Sequence, residues 1–453
     1  MRLSRPALSA LLCLGAPATA WAQDGGVQIS LTAAVGVTDN VGSTPDTPVE
    51  GVERELGGTF DVSPGFAFNY ITPRTTNRLQ YAFTFGLPDL RDAGGYTLSN
   101  ALLYGGQFET SPTTSLSLGV AGTHGHTREV TGVGNPETTV ITAQPEDIEF
   151  FRADVSQGFT KALSPTLDFG QSLSAGGFFP LSGDATTPAS YTVGGSLNLQ
   201  TSWRDDSVGV TLTPGYTLFL EVEADPSDPA AVPEERRHSL LNNLAVSWRR
   251  DFTDRWASQV ALGVTYGIDP SDGGDQTWTP SVQVSVLYTR EQWQAELANS
   301  LATQPNVLTG EIVFANTSTL RMALPIYTSA HNAVATAASA GYQNSRDIQD
   351  GNSGVVTNVF LVDAALTWSP LSLAIDYEMS LRYQFTKQLA GGGTSEDPTT
   401  TTVANFSRST VLLAITGAFD DRARETTPLI TGPYRRPEPE QTRPRAEPAP
   451  VEE

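Results

Sequence analysis

The chain has 453 residues, of which 17% are charged, with 49 acidic against 27 basic side chains and a single cysteine. Its net charge of −22 argues against general nucleic-acid binding, which needs clustered Lys and Arg to neutralise phosphates. One Cys excludes an internal disulfide and a multi-cysteine zinc site, and a charged fraction below the ~25% of ordinary soluble domains argues against a solvent-swollen disordered chain.

Residues 1–22 read as a secretory signal peptide: Arg2 and Arg5 open it, Leu8 to Ala16 is a short apolar run, and Ala20-Trp21-Ala22 fits the cleavage pattern. Cys13 falls inside this segment, and Leu12 before it is not the small residue that lipoprotein processing expects. No later stretch is long and apolar enough for a transmembrane helix. The run from Met322 to Ser345 lacks Asp, Glu, Lys and Arg but is studded with Ser, Thr, Asn and Gln. An exported chain of this kind is soluble or crosses a membrane as strands.

From residue 27 onward the dominant signal is period-2 alternation, which predicts strands. In chain order the expected strands are 27–40, 55–70, 75–87, 98–109, 114–127, 147–160, 165–179, 190–203, 207–221, 239–250, 255–268, 277–289, 292–303, 310–324, 331–345, 354–368, 371–387 and 402–419. The clearest is 371–387: Leu371, Leu373, Ile375, Tyr377, Met379, Leu381, Tyr383 and Phe385 share one face, while Ser372, Asp376, Glu378, Arg382 and Gln384 share the other. The Ala-rich 331–345 alternates least. Most of these segments exceed the 9–11 residues that cross a bilayer as a tilted strand.

The connections alternate in length. Long ones, such as 88–97, 128–146, 180–189 and 222–238, are interleaved with short turns at 71–74, 111–112, 162–164, 204–206 and 251–254. The contrast fades between 269 and 330. Short turns on one side and long loops on the other are the pattern of outer-membrane barrels, and an even strand count then puts both termini in the periplasm. Trp203, Trp248, Trp256, Trp293 and Trp368, joined by Tyr70, Phe159 and Tyr288, fall near the short turns. This predicts an aromatic girdle at one membrane interface. The expected fold is therefore all-β: a transmembrane antiparallel β-barrel of about 18 strands, with 16 as the alternative. It spans residues 23–419 and is followed by a Pro-, Arg- and Glu-rich tail, 420–453, expected to be extended and disordered in the periplasm.

If apolar residues face lipid, then Arg152, Asp154, Asp168, Glu296, Arg321, Asp363, Asp376, Glu378 and Arg382 line the lumen, because Arg or Lys on the lipid face at mid-membrane costs about 2–4 kcal/mol. Hydroxyls and amides dominate the rest of that face, which suits water and hydrated polar solutes. The acidic loop 221–235 reads as a solvated charge run. Catalysis has little support. His124, His126, His238 and His331 stand in no nucleophile or metal motif, and His124-Gly-His126 lacks the third ligand that a transition-metal site needs. Gly391-Gly-Gly-Thr394 lacks the Lys-Ser/Thr ending of a phosphate-binding loop. No catalytic residue, metal or cofactor is expected.

Two stretches carry a resemblance. Gly36-Val-Thr-Asp-Asn-Val41, at the end of the first strand, and the strand restart Thr110-Ser-Pro-Thr-Thr-Ser-Leu-Ser-Leu118 resemble outer-membrane barrels found with exopolysaccharide synthesis and export in proteobacteria and myxobacteria. Ser409 to Phe419 looks like the C-terminal assembly signal of outer-membrane barrels, although 34 residues follow Phe419. The resemblance implies a pore for a secreted polysaccharide in the outer membrane of a Gram-negative bacterium. Its partners would be outer-membrane lipid and lipopolysaccharide, the polysaccharide, and a periplasmic polysaccharide-export protein. A solute porin and a non-conducting structural or adhesive barrel are the alternatives.

Overall fold

The computed structural model describes residues 24–40, 55–91, 95–131, 143–182, 188–220, 237–269, 275–290, 293–305, 312–329, 331–347, 356–370, 376–391 and 405–420. Eighteen strands make up almost all of them. The first six are β1 (Asp24–Thr38), β2 (Gly57–Ile71), β3 (Thr75–Leu87), β4 (Thr97–Ser111), β5 (Thr114–Thr131) and β6 (Ala143–Ala162). The middle six are β7 (Leu167–Pro180), β8 (Ser190–Trp203), β9 (Asp206–Phe219), β10 (Arg237–Thr253), β11 (Trp256–Asp269) and β12 (Asp275–Arg290). The last six are β13 (Trp293–Pro305), β14 (Ile312–Thr328), β15 (Asn332–Asp347), β16 (Val356–Pro370), β17 (Asp376–Gly391) and β18 (Phe406–Asp420). Residues 1–22, expected to be a signal peptide, the acidic stretch 221–235, Gly392 to Thr394 and the residues beyond Asp420 lie outside the described residues.

Each strand pairs antiparallel with its neighbours in sequence, and β1 pairs with β18, so the sheet closes on itself without an edge. Every expected strand has its counterpart. The Ala-rich stretch forms β15, paired along its length with β14 and β16. The largest boundary difference is at the β16–β17 connection. Ser369-Pro370, expected from the sequence to be the tight turn between strands 354–368 and 371–387, instead ends β16, because Asn332 and Ala333 extend the ladder to both residues. The expected strand residues 371–375 lie outside the described residues.

Taking hydrogen-bonded partners once round the wall displaces the register by about 22 residues; with ~3.3 Å per residue and ~4.8 Å between strands this gives a tilt of about 40° and a backbone radius of about 18 Å. Such a tilt lies within the range of outer-membrane barrels, and 16 to 18 strands are enough to enclose an aqueous channel.

The two faces of the wall differ as period-2 patterning requires. On β1, Ile29, Leu31, Val35 and Val37 are all about half exposed, and Leu244, Leu262, Leu381 and Leu413 continue this apolar surface on other strands. Ser30, Thr32, Ala34 and Gly36 take the opposite face. Exposed apolar side chains on a convex wall belong in lipid.

The short turns share one device. Thr72, Ser111, Ser164, Thr253 and Ser329 each accept, through the side-chain hydroxyl, a backbone N–H two residues on, at 3.2–3.3 Å. In four of them, Ser111 excepted, the hydroxyl also takes the N–H three residues on, at 2.9–3.2 Å. This local bond satisfies donors that the ladder cannot reach. The two-residue turn Arg204-Asp205 uses backbone strain instead, with Arg204 at φ 50°. Asp24 and Asp420 both stand at this short-turn rim, since Asp24 pairs with Ile71 and Asp420 with Gln28.

Candidate functional site in the barrel lumen

The strand registers decide which side chains share the face opposite the apolar one. Arg152 and Asp154 on β6, Asp168 on β7, Glu296 on β13, Arg321 on β14, Asp363 on β16, and Glu378 and Arg382 on β17 all fall on it. Asp376 stands at the first position of β17, in the same register as Glu378 and opposite Ala418.

Six of the nine expected residues are brought together as three pairs. The Arg152 Nε donates to Asp154 Oδ2 at 2.7 Å and its Nη2 to Oδ1 at 3.2 Å. Gly176 stands opposite Asp154, where a Cβ would meet the Asp154 Oδ1 at 2.5 Å, so the bare glycine makes room for the carboxylate. On the far side, Arg382 Nε donates to Asp363 Oδ2 at 2.7 Å and Gln384 Nε2 donates to the same oxygen at 3.0 Å. Glu296 and Arg321 are direct cross-strand partners, with Nη1 to Oε2 at 4.0 Å. Asp168 lies apart from these groups, near the short-turn rim opposite Gln200.

Sequence reading missed Asp61, Arg78, Glu109, Arg249, Asp251 and Arg408, which occupy the same face of β2, β3, β4, β10 and β18. The signal that finds them is strand parity alone: Asp61 alternates with Phe60 and Val62 on the outer face. Arg249 and Asp251 form a further pair, at 3.3 Å. Amides and hydroxyls fill the space between charges, as where Asn243 Nδ2 donates to Thr265 Oγ1 and Ser281 Oγ.

Three of the four histidines, His124, His126 and His238, stand on the outer face of their strands, away from the lumenal charges. His124 and His126 share the outer face of β5, near the long-loop rim. His124 Nε2 meets Glu149 Oε1 at 2.8 Å and His126 Nδ1 meets the Tyr96 carbonyl at 2.9 Å. No group of three or more metal-ligating side chains occurs among the described residues.

Aromatic side chains form two belts where one was expected. Near the short turns Trp256 packs on Tyr288 at 4.7 Å, Phe159 on Phe169, and the indoles of Trp248 and Trp368 donate to Asp206 and Asn332. Toward the long-loop end Phe151–Phe179, Phe179–Tyr191, Tyr266–Trp278 and Tyr342–Phe360 form a second belt on the outer face. Tryptophan concentrates at one interface, but Tyr and Phe mark both, as membrane barrels do.

Burial divides the lumen lengthwise. Ile148, Phe219, Val313, Val359 and Phe406, together with Asn40, Ser239, Gln343 and Gln388, are buried inward-facing residues in or beside the last residues of their strands at the long-loop rim. Among the described residues, Ala67 is the one buried hydrophobic residue nearer the other end. At the long-loop rim the seam between β1 and β18 is clasped by side chains. Asp39 Oδ1 accepts the Ser409 N–H at 2.7 Å, Asn40 Nδ2 donates to the Ser407 carbonyl at 2.9 Å, and Thr410 donates to Thr38 at 3.2 Å. Outside the wall at this rim, Arg91 bridges Asp89 and Glu55, and its bonds to the Asp89 carboxylate raise it above its ordinary value.

A closed, tilted, eighteen-stranded wall with an apolar outside, aromatic belts at both interfaces and a polar inside is built to sit in a membrane. The chain has the fold of an outer-membrane β-barrel. No family model matches it, and no curated protein matches its sequence. Solved structures similar to it include the ferric citrate transporter FecA in its unliganded form, at 8% identity over 88% of this chain and 79% of that one, with a TM-score of 0.44. The FrpB iron transporter from Neisseria meningitidis is similar at 8% identity over 88% and 82%, with a TM-score of 0.47. A bacterial polysaccharide outer membrane secretin is similar at 11% identity over 87% and 98%, with a TM-score of 0.35.

Proposed function

We propose that this barrel is a passive channel and the outer-membrane pore through which an exopolysaccharide leaves the cell. Transport needs no chemistry in the wall, so the protein acts without a catalytic residue or cofactor. The polymer diffuses or is threaded through a hydrated lumen, driven by upstream machinery. In this reading the short-turn rim, with both ends of the wall, faces the periplasm and a polysaccharide-export protein there. The long loops face outward among lipopolysaccharide headgroups.

The observation that carries the reading is the charge-paired polar lumen. Arg152, Arg321 and Arg382 each stand beside a carboxylate of the same wall, and hydroxyls and amides supply hydrogen bonds between them. Such a surface exchanges hydrogen bonds with a hydrated polymer and offers no continuous apolar path for an acyl chain. A clean deletion strain tests the reading. Loss of secreted polysaccharide, its accumulation in the periplasm, and rescue by the intact gene are expected. Unchanged secretion overturns it.

A solute porin is the second reading. The burial of Asn40, Gln343 and Gln388 at the long-loop end favours it, because inward-facing side chains there are packed rather than open to the lumen. Ion conductance in planar bilayers with normal polysaccharide secretion would select this alternative.

A further inference from the structure

The lumenal charges on one side of the wall are not scattered. Glu296, Arg321, Ser339, Asp363 and Gln384 are successive cross-strand partners on β13, β14, β15, β16 and β17. They form one unbroken row of polar side chains across five strands, with Arg382 closing on Asp363 from the next position. Partners in such a row are ~4.8 Å apart, comparable with one sugar unit of an extended glycan. The row therefore presents a repeat that a sugar chain can follow.

The neighbouring inward row is different. Ala323, Ala337 and Ala365 are successive partners there, and Ala365 is followed by Arg382. Three methyl groups beside a line of donors and acceptors make a shallow shelf. Such a shelf matches the C–H face of a sugar, with the polar row within reach of its hydroxyls. Bidentate groups suit neighbouring hydroxyls, since a guanidinium carries five donors and a carboxylate about four lone-pair sites. Arg382 and Asp363 remain about one-third exposed despite their mutual bond, so both keep sites for a ligand.

The charge of the ligand follows from the pairing. Each guanidinium of the row already stands against a carboxylate, Arg321 against Glu296 and Arg382 against Asp363. An anionic glycan meets no net positive field here, so its carboxylates gain nothing to offset their desolvation. Halfway round the ring, the Arg152–Asp154 pair on β6 is neutral in the same way.

We infer that the row from Glu296 to Gln384, with its alanine shelf, is a docking strip for an uncharged, hydroxyl-rich glycan. This rests on the channel reading above and names the class of polymer. The strip acts at equilibrium as a weak, sliding contact that keeps the chain against one wall.

The test uses the purified full chain in detergent and titration calorimetry with two probes, a neutral glucan oligomer and a uronate oligomer of equal length. The glucan is expected to bind at least about tenfold more tightly than the uronate, the equivalent of one to two charge-related contacts. Removing each pair together keeps the lumen charge unchanged. The variants Asp363→Asn with Arg382→Gln, and Glu296→Gln with Arg321→Gln, are each expected to weaken the glucan about fivefold or more. Retention of the heat-sensitive mobility of a folded barrel on gels shows that each variant has assembled. Absence of glucan binding, tighter uronate binding, or wild-type glucan affinity in both folded variants overturns the strip. The export reading fails separately, on unchanged secretion in the deletion strain. Glucan binding together with normal secretion would leave a docking strip in an uptake porin.

Discussion

The two ends of this barrel are built on different principles. At the short-turn end five turns are closed by their own atoms: a Ser or Thr hydroxyl takes N–H groups of the bend, and the aromatic rings point outward into the interface. At the long-loop end the wall packs inward, with Phe406, Ile148 and Gln388 almost wholly buried, and the β1–β18 seam is held by Asp39 and Asn40. The first end is stabilised by local contacts, each worth little. The second depends on contacts between residues far apart in sequence, and behaves like the core of a soluble domain. Among the described residues, inward burial is therefore concentrated at the long-loop end.

Substitutions at the two ends should separate these principles. The largest effect is expected for Phe406→Ala, which empties a fully buried site; the barrel should lose about 3–5 kcal/mol, read as a lower urea midpoint in detergent or lipid. If Phe406→Ala costs no more than the loss of an exposed girdle ring such as Trp203→Ala, the inward packing of the long-loop end is not what holds it. At mid-barrel neither principle applies, and the two faces serve as a control. Leu262→Arg puts a charge into lipid and should cost about 2–4 kcal/mol, while Ala261→Arg, one residue away on the lumen face, should cost far less. Equal costs would reverse the assignment of inside and outside. Asn40→Ala removes the clasp bond to Ser407 from a site without exposure. A loss of about 1–3 kcal/mol is expected, with heat-modifiable mobility lost at lower temperature.

The sequence carried the wall more clearly than the mouths. Leu371 to Phe385, Trp256 to Tyr266 and Val411 to Phe419 alternate because one side chain in two must meet lipid, and that constraint is written locally along each strand. Even the Ala-rich β15, with the least alternation, keeps its place because β14 and β16 fix its register on both sides. The nine lumen candidates follow from the same parity. What parity does not encode is which candidates meet. Glu296 and Arg321 are neighbours because of the β13–β14 register, and Arg382 reaches Asp363 through β16–β17. The second aromatic belt escaped notice for a related reason: Tyr266 and Trp278, or Tyr342 and Phe360, lie on opposite sides of a connection and become a belt only when strands pair. Thr38-Asp39-Asn40 was legible as a motif, but its partners at Ser407, Ser409 and Thr410 stand at the other end of the chain.

The smaller predictions belong to the short-turn end. Thr253→Ala removes a hydroxyl that accepts the N–H groups of Arg255 and Trp256 at 3.2 Å each. Water at the rim replaces part of that bonding, so about 1 kcal/mol should be lost, and the double variant with Ser329→Ala should be additive because the two turns lie on separate hairpins. A strong departure from additivity would mean that the short-turn rim is one cooperative unit, like the opposite mouth. The smallest change expected is a gain. Arg204 holds φ 50° in a two-residue turn between β8 and β9, a conformation that costs a non-glycine residue about 1 kcal/mol or more. Arg204→Gly removes that strain and adds unfolded-state entropy, leaving a net stabilisation of about 0.5 kcal/mol. Unfolding and refolding rates then locate the turn in time. A faster refolding rate with unchanged unfolding would show that this hairpin forms before the barrel closes, whereas slower unfolding alone would place it after closure. Local turns that form early, followed by a distant clasp that forms last, is the order that the two ends of the wall predict.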